Sequence, residues 1–332
     1  MNRLLWLLLA LIMALLVPVV LGGSDLLGRL RAFAPGLMLG LLGMILLCWI
    51  INALRLRLLL GSQGEHLGRM RSLGVIIATE FAICTTPGGS GGPLALMALL
   101  ARHRIGPARS SAVFAADQLN DLLFFLCAML GIAGYALLYS LNRRLEGMLL
   151  SSAALMLAIV TGVVVLLACR RLLLRLSGRM LRRLKVSPSR RRRWTRKTLH
   201  FLRALGETWK LPKRTLALVF ALTCVHWGLR YSVLYLALRG LGVDVQWMLS
   251  FLVQMLSLSA GQFSLLPGGA GAAELTSAAL LTPLVGSSTA AAAILIWRLV
   301  TYYFYLIAGG PVFLCLLGRP LLERFNQARA RR

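Results

Sequence analysis

Long apolar stretches separated by short polar or basic segments make up most of the chain. Six of them approach or exceed the roughly 20 residues that an α-helix needs to cross the hydrocarbon core of a bilayer. These stretches cover residues 4–21, 34–54, 108–140, 149–169, 215–238 and 288–317. The pattern predicts an all-α protein, a polytopic transmembrane helical bundle. For residues 4–21, a cleaved signal peptide is the alternative to a first span.

Two further apolar intervals are each interrupted by a proline followed by glycines. The first interval, 74–101, contains Pro87-Gly88-Gly89-Ser90-Gly91-Gly92, which we call the first break. The second interval, 247–284, contains Pro267-Gly268-Gly269-Ala270-Gly271-Ala272, the second break. Irregular backbone at membrane depth is stable only where protein or water covers its peptide groups. We therefore expect each interval to form a re-entrant hairpin of two half-helices, with one full span over 246–266 as the alternative for the second.

The two breaks occupy matching places in the two halves of the chain. Span, hairpin and span follow one another in repeat 1 (34–140) and again in repeat 2 (215–317). Loops on the cytoplasmic side of a membrane carry an excess of Lys and Arg. The basic segments share that side if the first hairpin opens toward the cytoplasm and the second away from it. The sequence thus predicts inverted repeats, a plan found in transporters whose discontinuous helices meet at the midplane.

The remaining segments complete a single membrane domain over 1–332. Residues 1–33 are interpreted as a first span and loop, and 149–169 as an extra span. The basic segment 170–214 is interpreted as a cytoplasmic linker, part of it an amphipathic surface helix, and 318–332 as a basic cytoplasmic tail. Both termini are therefore placed in the cytoplasm of a bacterial or archaeal cell. Four arginines, at positions 29, 31, 143 and 144, fall on the other side and count against this topology.

Composition favours a membrane protein over a nucleic-acid-binding protein. The chain is 58% hydrophobic with a mean hydropathy of +0.79, whereas soluble domains are about 45–50% apolar. The net charge of +27 comes from 37 Lys and Arg against 10 Asp and Glu. Because the basic residues lie between the spans, we expect anionic lipid headgroups, and no nucleic acid, as their partners. The six cysteines are isolated, and we expect neither a metal nor a cofactor.

Ionisable residues inside the apolar segments are the candidate chemistry. They are Glu80, Asp117, Asp121, His226, Arg230, Glu274 and Arg298. A charge at the centre of a membrane helix costs about 2.5–3.5 kcal/mol on the insertion scale, so these groups must face protein or water. We assign Glu80, Asp117, Asp121, His226 and Glu274 to a charge network that tunes a central site or carries coupling protons. Ion pairs that only fix helix packing are the alternative.

The predicted binding site is a midplane cavity lined by both breaks. Its lining consists of Pro87, Gly88, Gly89, Ser90, Gly91 and Gly92 with Pro267, Gly268, Gly269 and Gly271, closed by Arg230, Arg298 and Tyr302. Free backbone N–H groups at helix starts favour an anion, and a guanidinium suits a phosphate. The aspartates at 117 and 121 lack the extended multi-Asp pattern of membrane transferases, and no HExxH occurs. We therefore predict that the chain is not an enzyme.

Several motifs resemble one known family. The first break followed by Arg102-His103-Arg104-Ile105-Gly106, the early Asn52-Ala53-Leu54-Arg55, the string Leu266 to Glu274, and Trp297-Arg298-Leu299-Val300-Thr301-Tyr302-Tyr303 are similar to segments of the lysylphosphatidylglycerol synthase transmembrane-region family. The resemblance covers nearly the whole chain. It implies a flippase-like membrane protein with a role in lipid handling. Some relatives move aminoacylated phospholipid made by a fused synthase domain, which this sequence does not contain.

Three functions follow from these patterns. The leading expectation is a lipid flippase-like transporter that moves an anionic, aminoacylated or glycosylated headgroup through the cavity. An accessory subunit that scaffolds a lipid- or glycolipid-modifying enzyme is the second, with the basic linker 170–214 as its dock. A proton-coupled transporter of a small anion is the third.

Overall fold

A computed structural model of the chain describes residues 3–138, 157, 161–162 and 187–318. The described residues form α-helices, with two π-helical turns, and no β-strand. The helices are α1 Arg3–Gly22, α2 Asp25–Ala32, α3 Pro35–Leu60, α4 Ser62–Leu67, α5 Arg69–Cys84, α6 Gly91–Arg102, α7 Pro107–Leu138, α8 Pro188–Trp209, α9 Lys213–Gly240, α10 Trp247–Gln262, α11 Ala272–Val285, α12 Ser287–Arg298 and α13 Phe304–Phe313. The predicted all-α class is confirmed.

Among the described residues, four stretches of helix are long and apolar enough to cross a bilayer. They are Pro35–Leu60, Pro107–Gly134, Lys213–Gly240 and Ser287–Leu317. A fifth exists if α1 and α2, which bend by 103° at the break between them, act as one span. Helix α2 lies where the sequence predicted a loop. The expected span over 149–169, apart from residues 157 and 161–162, and the first part of the linker, 170–186, fall outside the described residues.

The chain divides into two compact units. The first comprises the described parts of 1–57, 65–104 and 225–332, and the second those of 58–64 and 105–224. In the first unit, α5 packs on α6 and α13, α10 on α11, and α12 on α1, α2 and α11. Its apolar core includes Leu41 and Trp49 of α3, Val233 of α9 and Trp297 of α12, and both breaks belong to this unit.

Small residues let the first unit's helices approach closely. Four consecutive alanines of α12, residues 290–293, are fully buried. A Cβ added at Gly22 would lie 2.9 Å from the Cβ of Ala291, so α1 ends against this alanine run. Interfaces of this kind are typical of membrane helices, where close packing takes over from the hydrophobic effect. The packing positions α12 with its C-terminal Arg298 beside the second break.

In the second unit, α8 packs along α7 and is fastened by one arginine. Arg109 donates to the carbonyl oxygens of Leu59 and Leu60 at 3.0 and 3.2 Å. It also donates to the carbonyl of Ala204 and the hydroxyl of Thr208 at 3.3 and 3.0 Å. The guanidinium therefore links three segments of this unit, and at Leu59 and Leu60 it uses carbonyl groups that the end of α3 leaves unpaired. The predicted helix in the basic linker is seen from Pro188 to Trp209.

The last span is not a regular α-helix. A π-helical turn covers Leu299–Tyr303 directly after Arg298, and a second covers Leu314–Gly318. Such turns are rare and often occur at functional sites. The sequence predicted one span over 288–317, with Arg298 and Tyr302 both at the cavity. The π turn changes the angular spacing of these residues around the helix.

Candidate functional site

Both breaks fold into the same local turn. Gly89 N–H donates to Thr86 at 3.1 Å, and Gly269 N–H donates to Leu266 at 3.2 Å. The proline takes the second position of each turn, where its fixed φ is favourable, and a glycine with positive φ takes the third. This glycine is Gly88 in one turn and Gly268 in the other, with φ of 56° and 63°. The repeated Pro-Gly-Gly string therefore has a repeated backbone structure.

The two turns meet. Pro87 and Pro267 form an isolated antiparallel bridge, the one β-type pairing among the described residues. A Cβ added at Gly88 would lie 3.6 Å from the carbonyl oxygen of Gln262, at the end of α10. Positions 180 residues apart in sequence are thus neighbours in the first unit. The structure brings together the two segments that the sequence proposed as the lining of one site.

The second break is tightly enclosed. Gly268 lies so close to the ring of Tyr302 that an added Cβ would come within 2.1 Å of it. Gly269 faces the backbone of Gly261 on α10, with the nearest atom 2.7 Å from an added Cβ. Tyr302 also donates a hydrogen bond from its hydroxyl to the carbonyl of Pro267 at 3.3 Å. Glycine is therefore required here by space as well as by φ.

A buried ion pair lies beside the second break. Arg298 Nε is 2.5 Å from Glu274 Oε1, and the two side chains are 3% and 0% exposed. The guanidinium carbon lies 5.3 Å from the centre of the Tyr302 ring, in cation–π range. Its Nη1 donates to the carbonyl of Gly268 at 3.4 Å. Two predicted site residues from α11 and α12 are thus joined to each other and to the break.

A second polar group forms where α3, α5, α9 and α13 meet. Arg55 donates to Asn52 at 2.9 Å, and Asn52 donates to Glu80 Oε1 at 3.4 Å. Glu80 lies within electrostatic range of Arg230, which donates to the hydroxyl of Tyr305 at 2.5 Å. We call Asn52, Arg55, Glu80, Arg230 and Tyr305 the α3–α9 network.

Cys84 and His226 lie around this network. Cys84, the last residue of α5, is within electrostatic range of Glu80, Arg230 and Arg298. His226 is buried, and its Nδ1 has no hydrogen-bond partner in the described part of the chain. Three residues of the expected charge network, Glu80, His226 and Glu274, belong to one unit with the two arginines expected at the cavity, Arg230 and Arg298.

The other predicted site residues have different environments. Asp117 and Asp121 are half-buried on α7 and belong to the second unit. In the first break, Pro87, Gly88 and Ser90 are exposed, and the Ser90 hydroxyl donates to the carbonyl of Pro87 at 3.0 Å. Gly91 N–H donates to the hydroxyl of Thr86 at 2.8 Å, and an added Cβ at Gly92 would strike Ile83.

Sequence reasoning misplaced Arg55. The sequence predicts that the span ends at residue 54, just before Arg55, but α3 continues to Leu60 and Arg55 is only 1% exposed. The helix continues because nothing breaks it before Gly61, and Asn52, one turn earlier, accepts a hydrogen bond from the guanidinium. The spacing Asn52-x-x-Arg55 was the available signal.

Comparison with known proteins agrees with this architecture. The chain is 21% identical over 266 residues to the UPF0104 membrane protein of Archaeoglobus fulgidus, an alignment that covers 79% of this chain and 80% of that relative. No solved structure matches the chain significantly. A family model described as the lysylphosphatidylglycerol synthase TM region matches residues 5–309. With both breaks, the buried pair and the α3–α9 network inside the matched region, the chain is a multi-pass membrane protein that belongs to this family.

Proposed function

We propose that the protein is a flippase-like lipid transporter of the cytoplasmic membrane, and that it moves an anionic headgroup past the meeting point of the two breaks. The observation that carries the proposal is the contact of Pro87 with Pro267, beside the buried Glu274–Arg298 pair. Discontinuous helices that converge on charged groups are the usual construction of a substrate site in transporters with repeats. A buried charge within a membrane protein is costly, so its retention favours a role in transport.

The distribution of charge at the hairpin ends supports an inverted arrangement. The ends of α5 and α6 carry exposed arginines at positions 69, 71, 102 and 104. Burial, then Arg71 and Arg102, lower the pKa of His103, which shows that these two helix ends are close together. The two ends of the second hairpin, at Trp247 and at Val285, carry no charged residue. By the positive-inside rule, we place the first hairpin's ends and both termini in the cytoplasm, and the second hairpin's ends outside.

The headgroup would pass through the site from one face of the membrane to the other while the acyl chains remain in the bilayer. Arg298 and Arg230 would contact a phosphate, because a guanidinium offers paired donors that match its oxygens. The function needs no catalytic group and no cofactor, and its partners are membrane lipids. A lipid-modifying enzyme that supplies the cargo would be a further partner.

A reconstituted-vesicle assay tests the proposal. Purified protein is inserted into liposomes that contain fluorescent phosphatidylglycerol, an aminoacylated lipid or a glycolipid, and external dithionite measures the fraction that changes leaflet. We expect transport of at least one anionic or aminoacylated lipid. Arg298→Gln should lower its rate about tenfold or more, the effect of about 1.4 kcal/mol.

Arg239→Gln is the matched control. It removes a guanidinium from an exposed ion pair with Asp244, whose side chains are 52% and 84% exposed, and it should leave the rate unchanged. Absence of transport for every lipid in the panel contradicts the proposal. Equal rates for Arg298→Gln and Arg239→Gln contradict the assigned site. Uptake of a soluble anion without lipid movement favours a solute transporter instead.

A further inference from the structure

The anion that Arg298 holds in this structure is part of the protein itself. Glu274 is the third residue of α11, directly after the second break, and its Oε1 contacts Arg298 Nε at 2.5 Å. The first turn of a helix attracts negative charge because its N–H groups are unpaired and the helix dipole is positive there. Glu274 thus combines with Arg298 and the α11 terminus in an arrangement that would suit any small anion.

The Glu274 carboxylate leaves some of the hydrogen-bonding groups at this site unused. Glu274 Oε2 and Arg298 Nη2 are buried and have no hydrogen-bond partner within the described ranges. Arg298 Nη1 reaches the carbonyl of Gly268 only at 3.4 Å. A guanidinium carries five donors and binds a phosphate through two parallel hydrogen bonds. Arg298 can therefore bind more acceptor oxygens than Glu274 supplies.

We propose that Glu274 is a tethered competitor, which occupies the phosphate site of Arg298 and the second break until a phosphate group displaces it. The inference rests on the proposed function in one respect, that the site receives a phosphate-bearing headgroup. The competitor keeps Arg298 from being buried without a counter-ion when the site is empty, which would be strongly destabilising. It also excludes neutral headgroups, since only an incoming negative charge can replace the one that leaves.

Removal of the competitor should strengthen phosphate binding. Glu274→Gln keeps the size of the side chain but deletes its charge, so Arg298 becomes available. Binding of inorganic phosphate and of short-chain phosphatidylglycerol would be measured by calorimetry in a maltoside detergent, which contains no phosphate. We expect both the variant and the wild type to bind phosphate. The dissociation constant of the variant should be about one tenth of the wild-type value or lower, a change in binding free energy of about 1.4 kcal/mol.

Two further variants control the experiment. The double variant Glu274→Gln with Arg298→Gln removes the phosphate site as well as the competitor. It should not show the stronger phosphate binding of Glu274→Gln. Glu207→Gln deletes an exposed carboxylate, 3.9 Å from Arg109 Nη1, and should bind phosphate as the wild type does. If Glu274→Gln does not fold, Glu274→Asp withdraws the carboxylate by one methylene and should give a smaller gain.

The outcomes separate this inference from the proposed function. A gain for phosphatidylglycerol alone identifies a lipid headgroup as ligand, and a gain for inorganic phosphate as well identifies the phosphate group itself; either supports the competitor. Unchanged or weaker binding in both Glu274→Gln and Glu274→Asp overturns it, as does a gain that persists without Arg298. If Glu274→Gln binds phosphate more tightly but the protein moves no lipid in vesicles, the flippase proposal is refuted and the competitor proposal is supported. If lipid moves in vesicles but Glu274→Gln gives no gain in phosphate binding, the competitor proposal is refuted and the flippase proposal is supported.

Discussion

The two Pro-Gly breaks have nearly the same backbone but different surroundings. Gly88 and Gly268 have φ of 56° and 63°, and the glycines that follow them have φ of 68° and 69°. Yet Pro87 and Gly88 are exposed, whereas Pro267, Gly269 and Gly271 are buried. The local sequence therefore determines the turn, and the rest of the fold determines what surrounds it.

The contacts that hold each break also differ. The first break is held by a neighbour in sequence, since the Thr86 hydroxyl accepts from Gly91 N–H and donates to the carbonyl of Ala82. The second has a sequence neighbour too, since the Ser264 hydroxyl donates to the carbonyl of Ala270, but the distant residues Tyr302 and Arg298 also hold it. Substitutions at the second break should therefore destabilise the protein more than the matching substitutions at the first.

The largest difference should come from the charged groups. Arg298→Ala leaves Glu274 buried without its partner and should lower the free energy of unfolding by about 3–5 kcal/mol. Asn52→Ala removes only the 3.4 Å hydrogen bond to Glu80 and its bond from Arg55, and should cost about 1–3 kcal/mol. Denaturant unfolding in detergent measures both. An equal loss for the two variants would contradict the larger contribution assigned to the buried ion pair beside the second break.

Alanine at the third position of each turn gives a matched pair. Gly88→Ala should cost about 1–2 kcal/mol, the penalty of a left-handed φ for an L-residue, because the nearest atom to its Cβ is at ordinary contact distance. Gly268→Ala carries the same penalty and also forces the Tyr302 ring to move, for a total of about 2–5 kcal/mol. Thermal unfolding of the two variants side by side checks the order. A smaller loss for Gly268→Ala would contradict the enclosure of the second break.

Two adjacent glycines of α13 test how closely this helix packs on α5. An added Cβ at Gly309 would lie 2.8 Å from Phe81 Cβ and 3.3 Å from the carbonyl of Ile77, both on α5. Gly309→Ala should therefore cost about 1–3 kcal/mol through overpacking. The Cβ of Gly310→Ala would be 3.4 Å from the Phe81 ring, and Pro311 follows, so the gain in helix propensity is offset and stability should change by less than about 0.5 kcal/mol. A lower melting temperature is expected for Gly309→Ala than for Gly310→Ala, and equal values would contradict the close contact of α5 with α13.

The smallest effect concerns one hydroxyl. Tyr302→Phe keeps the ring that packs on Gly268 but loses the 3.3 Å hydrogen bond to the carbonyl of Pro267, at a cost of about 0.5–1.5 kcal/mol. Tyr235→Phe is the control, because its hydroxyl meets Arg239 at an exposed position and should contribute little. The two melting temperatures decide whether this bond matters. Identical values would assign the role of Tyr302 to its ring alone.

Much of the fold and part of the site could be predicted from the sequence. Helices and breaks were within reach because both depend on local properties, apolar length and the φ preferences of Pro and Gly. Glu274 and Arg298 stood out as charges in apolar segments. Their pairing depends on how α11 and α12 pack, which no local pattern encodes. Asp117 and Asp121 belong to a different unit from Arg230, and this too depends on helix packing that no local pattern encodes.

Two local features were missed for other reasons. Helix α2 is short and has a basic last turn, so its composition is that of a loop, and its Leu26 is buried through packing on α12. The π turn at Leu299–Tyr303 has no sequence signature, because it follows from the demands of the contacts on either side.

That π turn spaces two anchoring points along one helix. Arg298 on its N-terminal side contacts Glu274, and Tyr305 on its C-terminal side contacts Arg230. A π turn holds one residue more than the α turn it replaces, and each residue of a regular helix corresponds to about 100° of rotation. Deletion of one residue from 299–303 would shorten the helix and swing one anchor away from its partner. A single-codon deletion could thus uncouple the two polar groups of the first unit without changing any side chain in either.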